Sequence, residues 1–148
     1  MADDDTRQIS VRASGRVDVA PDRATFQTGV VTQARTAKDA LAVNSSAMQN
    51  LVDGLKALGI KARDLQTSDF SINPQYRRNK NGPPEIEAFE VRNTLAILIR
   101  DTDRIGEIID KSASLGANQF GGLRFVVSGE DEKLDAARAN AMEAARRK

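Results

Sequence analysis

Between Thr36 and Leu58 apolar side chains return at steps of three and four, whereas on either side of that stretch they return at steps of two. The first rhythm is that of a helix with one buried face, the second that of strands with one wet face. Ala40, Leu41, Asn44, Ala47, Met48, Leu51, Leu55 and Leu58 fall on one side of a helix about 34 Å long at about 1.5 Å per residue. Thr36 can cap its first turn with Asp39 three residues on, and Gly59 stands where a left-handed stop is needed. Upstream, Ile9, Val11, Ala13, Val17 and Val19 alternate with Ser10, Arg12, Ser14, Arg16 and Asp18, which predicts a half-buried strand. Gly15 within it marks a bulge or a close backbone approach. Ala20-Pro21-Asp22-Arg23 reads as a tight turn, so this strand and the next, Ala24 to Ala34, form a hairpin. Ala24, Phe26, Thr28, Val30 and Thr32 share one side of that second strand.

Downstream of Gly59, a strand from Asp64 to Arg78 places Phe70 and Ile72 on one side. The turn-forming run Asn79-Lys80-Asn81-Gly82-Pro83-Pro84 is an exposed loop. A return strand from Glu85 to Arg100 carries Phe89, Val91, Leu95, Ile97 and Ile99 on one face and turns apolar on both faces near Ala96 and Leu98, as a central strand does. A second helix opens at Asp101 or Thr102, buries Ile105, Ile108, Ile109, Ser112 and Ala113, and stops at Gly116. Asn118 to Ser128 is a strand with a bulge or bend at Gly121-Gly122. Ser128 is placed to cap a last helix, acidic at its start and basic at its end, whose apolar side of Leu134, Ala137, Ala141 and Ala145 suits close packing.

Setting aside the first strand and the last helix, the order is β-α-β-β-α-β. The expected fold is α+β, a split β-α-β-β-α-β (ferredoxin-like) antiparallel sheet with an added N-terminal strand and a C-terminal helix. Leu58-Gly59 and Leu115-Gly116 end the two helices in the same way, so the halves repeat one plan.

Composition narrows what such a fold can do. The chain has 148 residues, of which 40% are hydrophobic and only 4% aromatic, so its core is built from aliphatic side chains. A disordered acidic lead over residues 1–7 followed by a single domain over 8–148 is the expected division. The formal net charge of +1, from 22 basic and 21 acidic residues, speaks against a general polyanion binder, and no nucleic acid is expected as a partner. Neither Cys nor His occurs, which removes thiol chemistry, the commonest general base and the commonest metal ligand together. No run is long and apolar enough to span a membrane, and MADDDTRQ lacks the basic and apolar regions of a secretory signal.

Several pieces of the chain together resemble the SIMPL domain family, which includes bacterial periplasmic immunogenic proteins and an oxidative-stress defence protein. They are Ile9-Ser-Val-Arg-Ala-Ser-Gly15, Val19-Ala-Pro-Asp-Arg-Ala24, Leu55-Lys-Ala-Leu-Gly-Ile60, Asp64-Leu-Gln-Thr67 with Pro74 and Tyr76 downstream, and Gly116-Ala-Asn-Gln119 leading to Phe125. The resemblance runs from Ile9 to Arg147, without the usual C-terminal end of the family, and marks a truncated or short member. It implies an exported, envelope-associated protein that forms homo-oligomers, and it supplies no catalytic residues and no cofactor.

Candidate chemistry is correspondingly thin: no catalytic, cofactor-binding or metal-binding residues are assigned. Tyr76, Arg77, Arg78, Asn79 and Lys80 form the one local basic and aromatic cluster, a solvated hairpin tip whose functional reading is a partner-contact loop. Pro21-Asp22-Arg23 is explained by a turn, Asp101 and Asp103 by a helix start, and Asp110 by a wet helical face. Asn118-Gln119 could bind a ligand, although amides after a helix stop more often satisfy backbone. The expected function is a non-enzymatic, self-assembling envelope protein that pairs through sheet edges or the hairpin. The alternative is a small-ligand or nucleic-acid binding module using the open sheet face, for which Phe89, Phe120 and Phe125 would have to face solvent.

Overall fold

The computed structural model describes residues 9–148, so the expected acidic lead over residues 1–7 lies outside the described residues. The described residues fall into two compact units, residues 21–126 and residues 9–20 with 127–148.

The larger unit is a four-stranded antiparallel sheet with two α-helices, in the order β1 (Arg23–Ala34), α1 (Ala37–Ala57), β2 (Leu65–Arg77), β3 (Glu85–Ile99), α2 (Ile105–Ser114) and β4 (Gln119–Val126). In space the strands run β2-β3-β1-β4. β1 and β2 are therefore parallel but separated by β3, and β3 and β4 are parallel but separated by β1. This is the split βαβ arrangement that the periodicities predict.

The added N-terminal strand is not formed: residues 9–22 have no strand among the described residues. The reason is that both edges of β1 are taken, by β3 from Ala24↔Ile99 to Ala34↔Phe89 and by β4 from Arg23↔Val126 to Gly29↔Gln119. A hairpin partner for β1 has no ladder left to join.

Within the sheet the expected faces hold. Ala24, Phe26 and Val30 of β1 and Leu95, Ile97 and Ile99 of β3 pack with Met48, Leu51 and Leu55 of α1 and Ile108 of α2, so both helices cover one face. Leu51 and Leu55 are fully buried, each contributing about 1.5–3 kcal/mol of apolar transfer. Leu41 and Ala113, expected in the stripes, are exposed instead. Leu41 is one position too far around the helix from Ala40 and Asn44, which take the buried places in that turn. In the ten residues of α2 the inward positions are held by Ile108 and Ser112.

The helix ends follow their sequence signals closely. Thr36 Oγ1 accepts from Asp39 N at 3.0 Å and starts α1. At its end Gly59 N donates to Lys56 O and Ile60 N to Leu55 O, with Gly59 at φ 92°. Gly116 N to Ala113 O, Ala117 N to Ser112 O and a φ of 98° at Gly116 repeat the motif in α2. A positive φ in both places explains why each half spends a glycine there. Asp101, one of the two expected openers, accepts from Asp103 N in a short 3₁₀ turn leading into α2. The bulge expected at Gly121-Gly122 is present: β4 uses one residue more than β1 between Gly121↔Gln27 and Arg124↔Thr25, with Gly122 at φ 62°.

The smaller unit pairs α3 (Glu130–Arg146) with segment 9–20, which carries no helix or strand. Its N-cap position is held by Gly129 at φ 64° rather than by Ser128. Gly15 meets the expectation of a close approach, because a Cβ there would collide with Ala137 O and Ala141 N on the small-residue side of α3. Asn140 Nδ2 donates to Arg16 O, and Lys148 Nζ to Arg12 O. The segment is thus tied by backbone carbonyls, not by a ladder.

Replacing Leu51 by Asp places an unpaired carboxylate in the center of the α1 contact and should abolish cooperative unfolding, while Leu51→Ala should cost about 2–5 kcal/mol. Urea unfolding followed by circular dichroism reads both. An unchanged midpoint for either variant would remove α1 from the core.

Candidate functional site

Strand register sorts the side chains of the larger unit between a helix-covered face and an open face. Opposite the core residues, β1 presents Thr25, Gln27 and Val31, β3 presents Arg92, Thr94 and Ala96, and β2 presents Gln66, Asp69 and Ser71. The open face is therefore polar. On it Arg92 Nη1 donates to Gln119 Oε1 at 3.2 Å, Arg92 Nη2 to Glu90 Oε1 at 3.5 Å, and Gln33 Nε2 to Glu90 Oε2 at 2.9 Å. Beside this network lies a hollow of about 260 Å³ lined by residues that include Ser68, Asp69, Arg92, Thr94 and Gln119. Of its polar groups the sequence marked Gln119 alone; Arg92 and Glu90 on β3 and Gln33 on β1 carry no local pattern that joins them to it.

Phe89, Phe120 and Phe125 do not stand on that face. They register with Ala34, Thr28 and Ala24 respectively, on the helix side, where Phe120 stacks on Phe26 with ring centroids 6.4 Å apart. Aromatic stacking of bases on the open face thus lacks the side chains it would need. Phe120 and Phe125 are nevertheless 47% and 57% exposed, because they lie toward β4, the edge of the sheet. Phe70 and Ile72 are similarly exposed on β2, the other edge.

The hairpin cluster is where the sequence placed it. Tyr76 and Arg77 end β2, Arg78 to Pro84 form an exposed loop, and β3 begins at Glu85. Tyr76 is 60% exposed and pairs with Ile86 across the ladder. Arg77 faces Glu85 in register, with Nη2 3.9 Å from Oε2. A shallow hollow of about 430 Å³ next to it is lined by Arg35, Arg77, Glu85, Ile86 and Glu87. Arg78, Asn79 and Lys80 stand in the loop beyond the ladder, so the five residues share a tip but do not converge on one point.

Asn118 has a structural task. Val31 N donates to its Oδ1 at 2.7 Å and its Nδ2 donates to Val31 O at 2.8 Å, while Asn118 N donates to Gly29 O. The side-chain amide copies a peptide group and prolongs the β4 ladder by one residue along β1. Gln119 Oε1 is engaged by Arg92, and Thr28 Oγ1 donates to Gln119 O. Pro21 and Asp22 lead directly into β1, with Asp22 N donating to Val126 O.

One ion pair stands out by burial. Arg100 forks onto Asp64, Nε to Oδ2 and Nη2 to Oδ1 both at 2.8 Å, and the Asp64 carboxylate is only 5% exposed. The fork joins the turn after α1 to the end of β3. The hydrogen bonds from Arg100 hold the Asp64 carboxyl below its ordinary range against the opposing effect of burial, and the charges of Arg100, Arg63 and Lys61 add to them. Nearby, Arg104 donates to Leu58 O at the end of α1 and to Glu107 Oε2. These contacts brace the end of α1 against β3 and the start of α2, and they pair Asp64 with Arg100 and Glu107 with Arg104.

The profile of the SIMPL family, described as a protein of unknown function (DUF541), matches residues 9–148. The chain is 34% identical over 139 residues to the "26 kDa periplasmic immunogenic protein" of Brucella melitensis biotype 1, and equally so to the protein of that name in Brucella abortus strain S19. These matches cover 91% of the chain and 56% of each relative. An "Uncharacterized protein YggE" of Edwardsiella ictaluri is 24% identical over 139 residues, covering 90% of the chain and 56% of that protein. The chain thus spans about half the length of the curated relatives it matches.

Two expectations follow from the braces. Asn118→Ala deletes a donor and an acceptor at once and should cost about 1–3 kcal/mol of unfolding free energy, whereas Ala in place of the exposed Asn79 should be nearly neutral; equal melting of the two variants would deny the ladder role. Asp64 has a lowered folded-state pKa, so its contribution is complete above the unfolded value of about 3.8 and is lost as pH falls through the folded value. The stability gap between the wild type and Asp64→Asn should accordingly be constant from neutral pH down to about pH 5 and should shrink below about pH 4. Denaturant midpoints measured across that range check the sign.

Proposed function

The chain belongs to the SIMPL family, and on that premise we propose that it is a non-enzymatic protein of the bacterial cell envelope that works by self-assembly. The observation that carries this reading is the state of the sheet edges. β2 and β4 end the sheet on its two sides, and apolar side chains stand exposed along both: Phe70, Ile72 and Tyr76 on β2, Phe120, Leu123 and Phe125 on β4. An edge strand offers unpaired backbone groups to another chain, and flanking apolar surface adds the burial that makes such pairing persist. The periplasmic names of the Brucella relatives support an exported location. A contribution to oxidative-stress defence would pass through assembly or through another protein, since a chain without Cys has no thiol to offer. The exposed hairpin tip, Tyr76 to Lys80, serves in this reading as the loop that meets partners.

A second reading draws on the polar hollow beside Arg92 and Gln119 and makes the protein a small-ligand module of the open face. It ranks below assembly because Arg92 is already engaged by Glu90 and Gln119.

Native mass measurement and light scattering at tens of micromolar should find discrete oligomers. Phe125→Lys and Phe70→Lys should each shift the population toward monomer with a change in monomer stability within about 0.5 kcal/mol, as for other exposed positions. A wild-type chain that is monodisperse and monomeric under those conditions would overturn the assembly reading.

A further inference from the structure

We propose that Asn81 is a site of spontaneous deamidation, a slow chemical change built into the hairpin tip. The chain has eight asparagines, and Asn81 is the one followed by glycine. Cyclisation requires the backbone nitrogen of the next residue to reach the side-chain amide carbon, and a glycine without Cβ leaves that approach open.

The structure separates Asn81 from the other asparagines. β2 ends at Arg77 and β3 begins at Glu85, so Asn81 and Gly82 lie in the exposed turn outside the ladder. Among the described residues the Asn81 side-chain amide makes no hydrogen bond, and Gly82 follows directly on the turn through Lys80 and Asn81. The space where a Gly82 Cβ would stand is bordered only by the Asn79 side chain, 3.5 Å away. Asn79 shares the exposed loop but is followed by Lys80, whose Cβ crowds the attacking nitrogen; at the other six positions the backbone or the amide is committed. Asn44 is buried with Nδ2 donating to Val30 O and Val91 O, and Asn118 is bonded at both ends of its amide. Asn50 and Asn140 are in helices, Asn93 is in β3, and Asn73 precedes a proline that has no N–H to attack with.

The chemistry balances with water as the only co-reactant. Gly82 N, losing its proton to base, bonds to Asn81 Cγ; the Cγ–Nδ2 bond breaks and Nδ2 leaves as ammonia, closing a five-membered succinimide. Water then opens the ring at either carbonyl, giving aspartate or isoaspartate at this position. Either product adds a carboxylate among Arg77, Arg78 and Lys80 and lowers the formal net charge by one from +1. The isoaspartate form also inserts a methylene into the turn. The inference stands whether or not the protein assembles, and it alters the charge of the tip.

The purified chain, incubated at 37 °C in mildly alkaline buffer, should accumulate aspartate and isoaspartate in the peptide containing residues 81 and 82, faster at higher pH. Peptide mass spectrometry with isoaspartate-specific methylation reads the position. Asn81→Gln should abolish the change, and Gly82→Val should slow it several-fold by crowding the attacking nitrogen. A parallel sample in urea shows whether the fold matters. Residue 81 reacting in urea but not in the folded chain, or conversion spread evenly over the asparagines, would overturn the proposal.

Discussion

The architecture depends on one demand, that the long face of α1 be buried on the two central strands. Met48, Leu51 and Leu55 can be removed from water only where β1 and β3 lie side by side, since those strands present Phe26, Val30, Leu95 and Ile97 together. Asn44 fixes this contact in position. Its Nδ2 donates to Val30 O at 2.9 Å and to Val91 O at 3.2 Å, so one fully buried amide holds both strands to the helix. Oδ1 of the same amide has no partner among the described residues, so the two Nδ2 bonds carry the seating of α1. Losing them would leave a buried donor unbonded, at a cost that makes the seating specific. Once α1 occupies β1 and β3, β2 and β4 can only be edges.

The same logic sets the helix stops. Each crossover must leave a helix on one face of the sheet and return to the plane of the strands, and each does so through a left-handed glycine followed by a residue that rejoins the core, Ile60 or Ala117. Asp64 with Arg100, and Arg104 with Leu58 O, then tie the first of these returns to the sheet and to α2. These ties join residues far apart in sequence that the topology brings together.

Legibility followed the range of the interaction. The period of α1, its cap at Thr36, the stops at Gly59 and Gly116 and the bulge at Gly122 are written within a few residues of where they act, and all were legible in the sequence. The sheet was legible as an order of elements. What the alternation of residues 9–19 could not reveal was whether a ladder would be free for them, because that depends on β4 occupying the second edge of β1 about a hundred residues later. The fork between Asp64 and Arg100 and the network around Arg92 were illegible for the same reason: each joins polar residues remote in sequence, with no periodicity to announce them. Leu41 and Ala113 were misplaced because a stripe read at steps of three and four is wider than the face that a sheet can cover.

The two halves share a plan but not a scale, and the difference exposes the flank that carries the functional reading. α1 has 21 residues and reaches about 31 Å, enough to lie along the central strands, whereas α2 has ten and reaches about 15 Å. β4 has eight residues and extends about 26 Å. A helix of that length cannot roof such a strand while also keeping Ile108 and Ser112 buried. Phe120 and Phe125, although they point to the helix side, are therefore left more than two-fifths open to water. Lengthening α2 by two turns would offer them a roof inside the chain. Within the described residues the fold has no such element, and the unburied aromatic surface at the β4 edge is what a second chain would gain by covering.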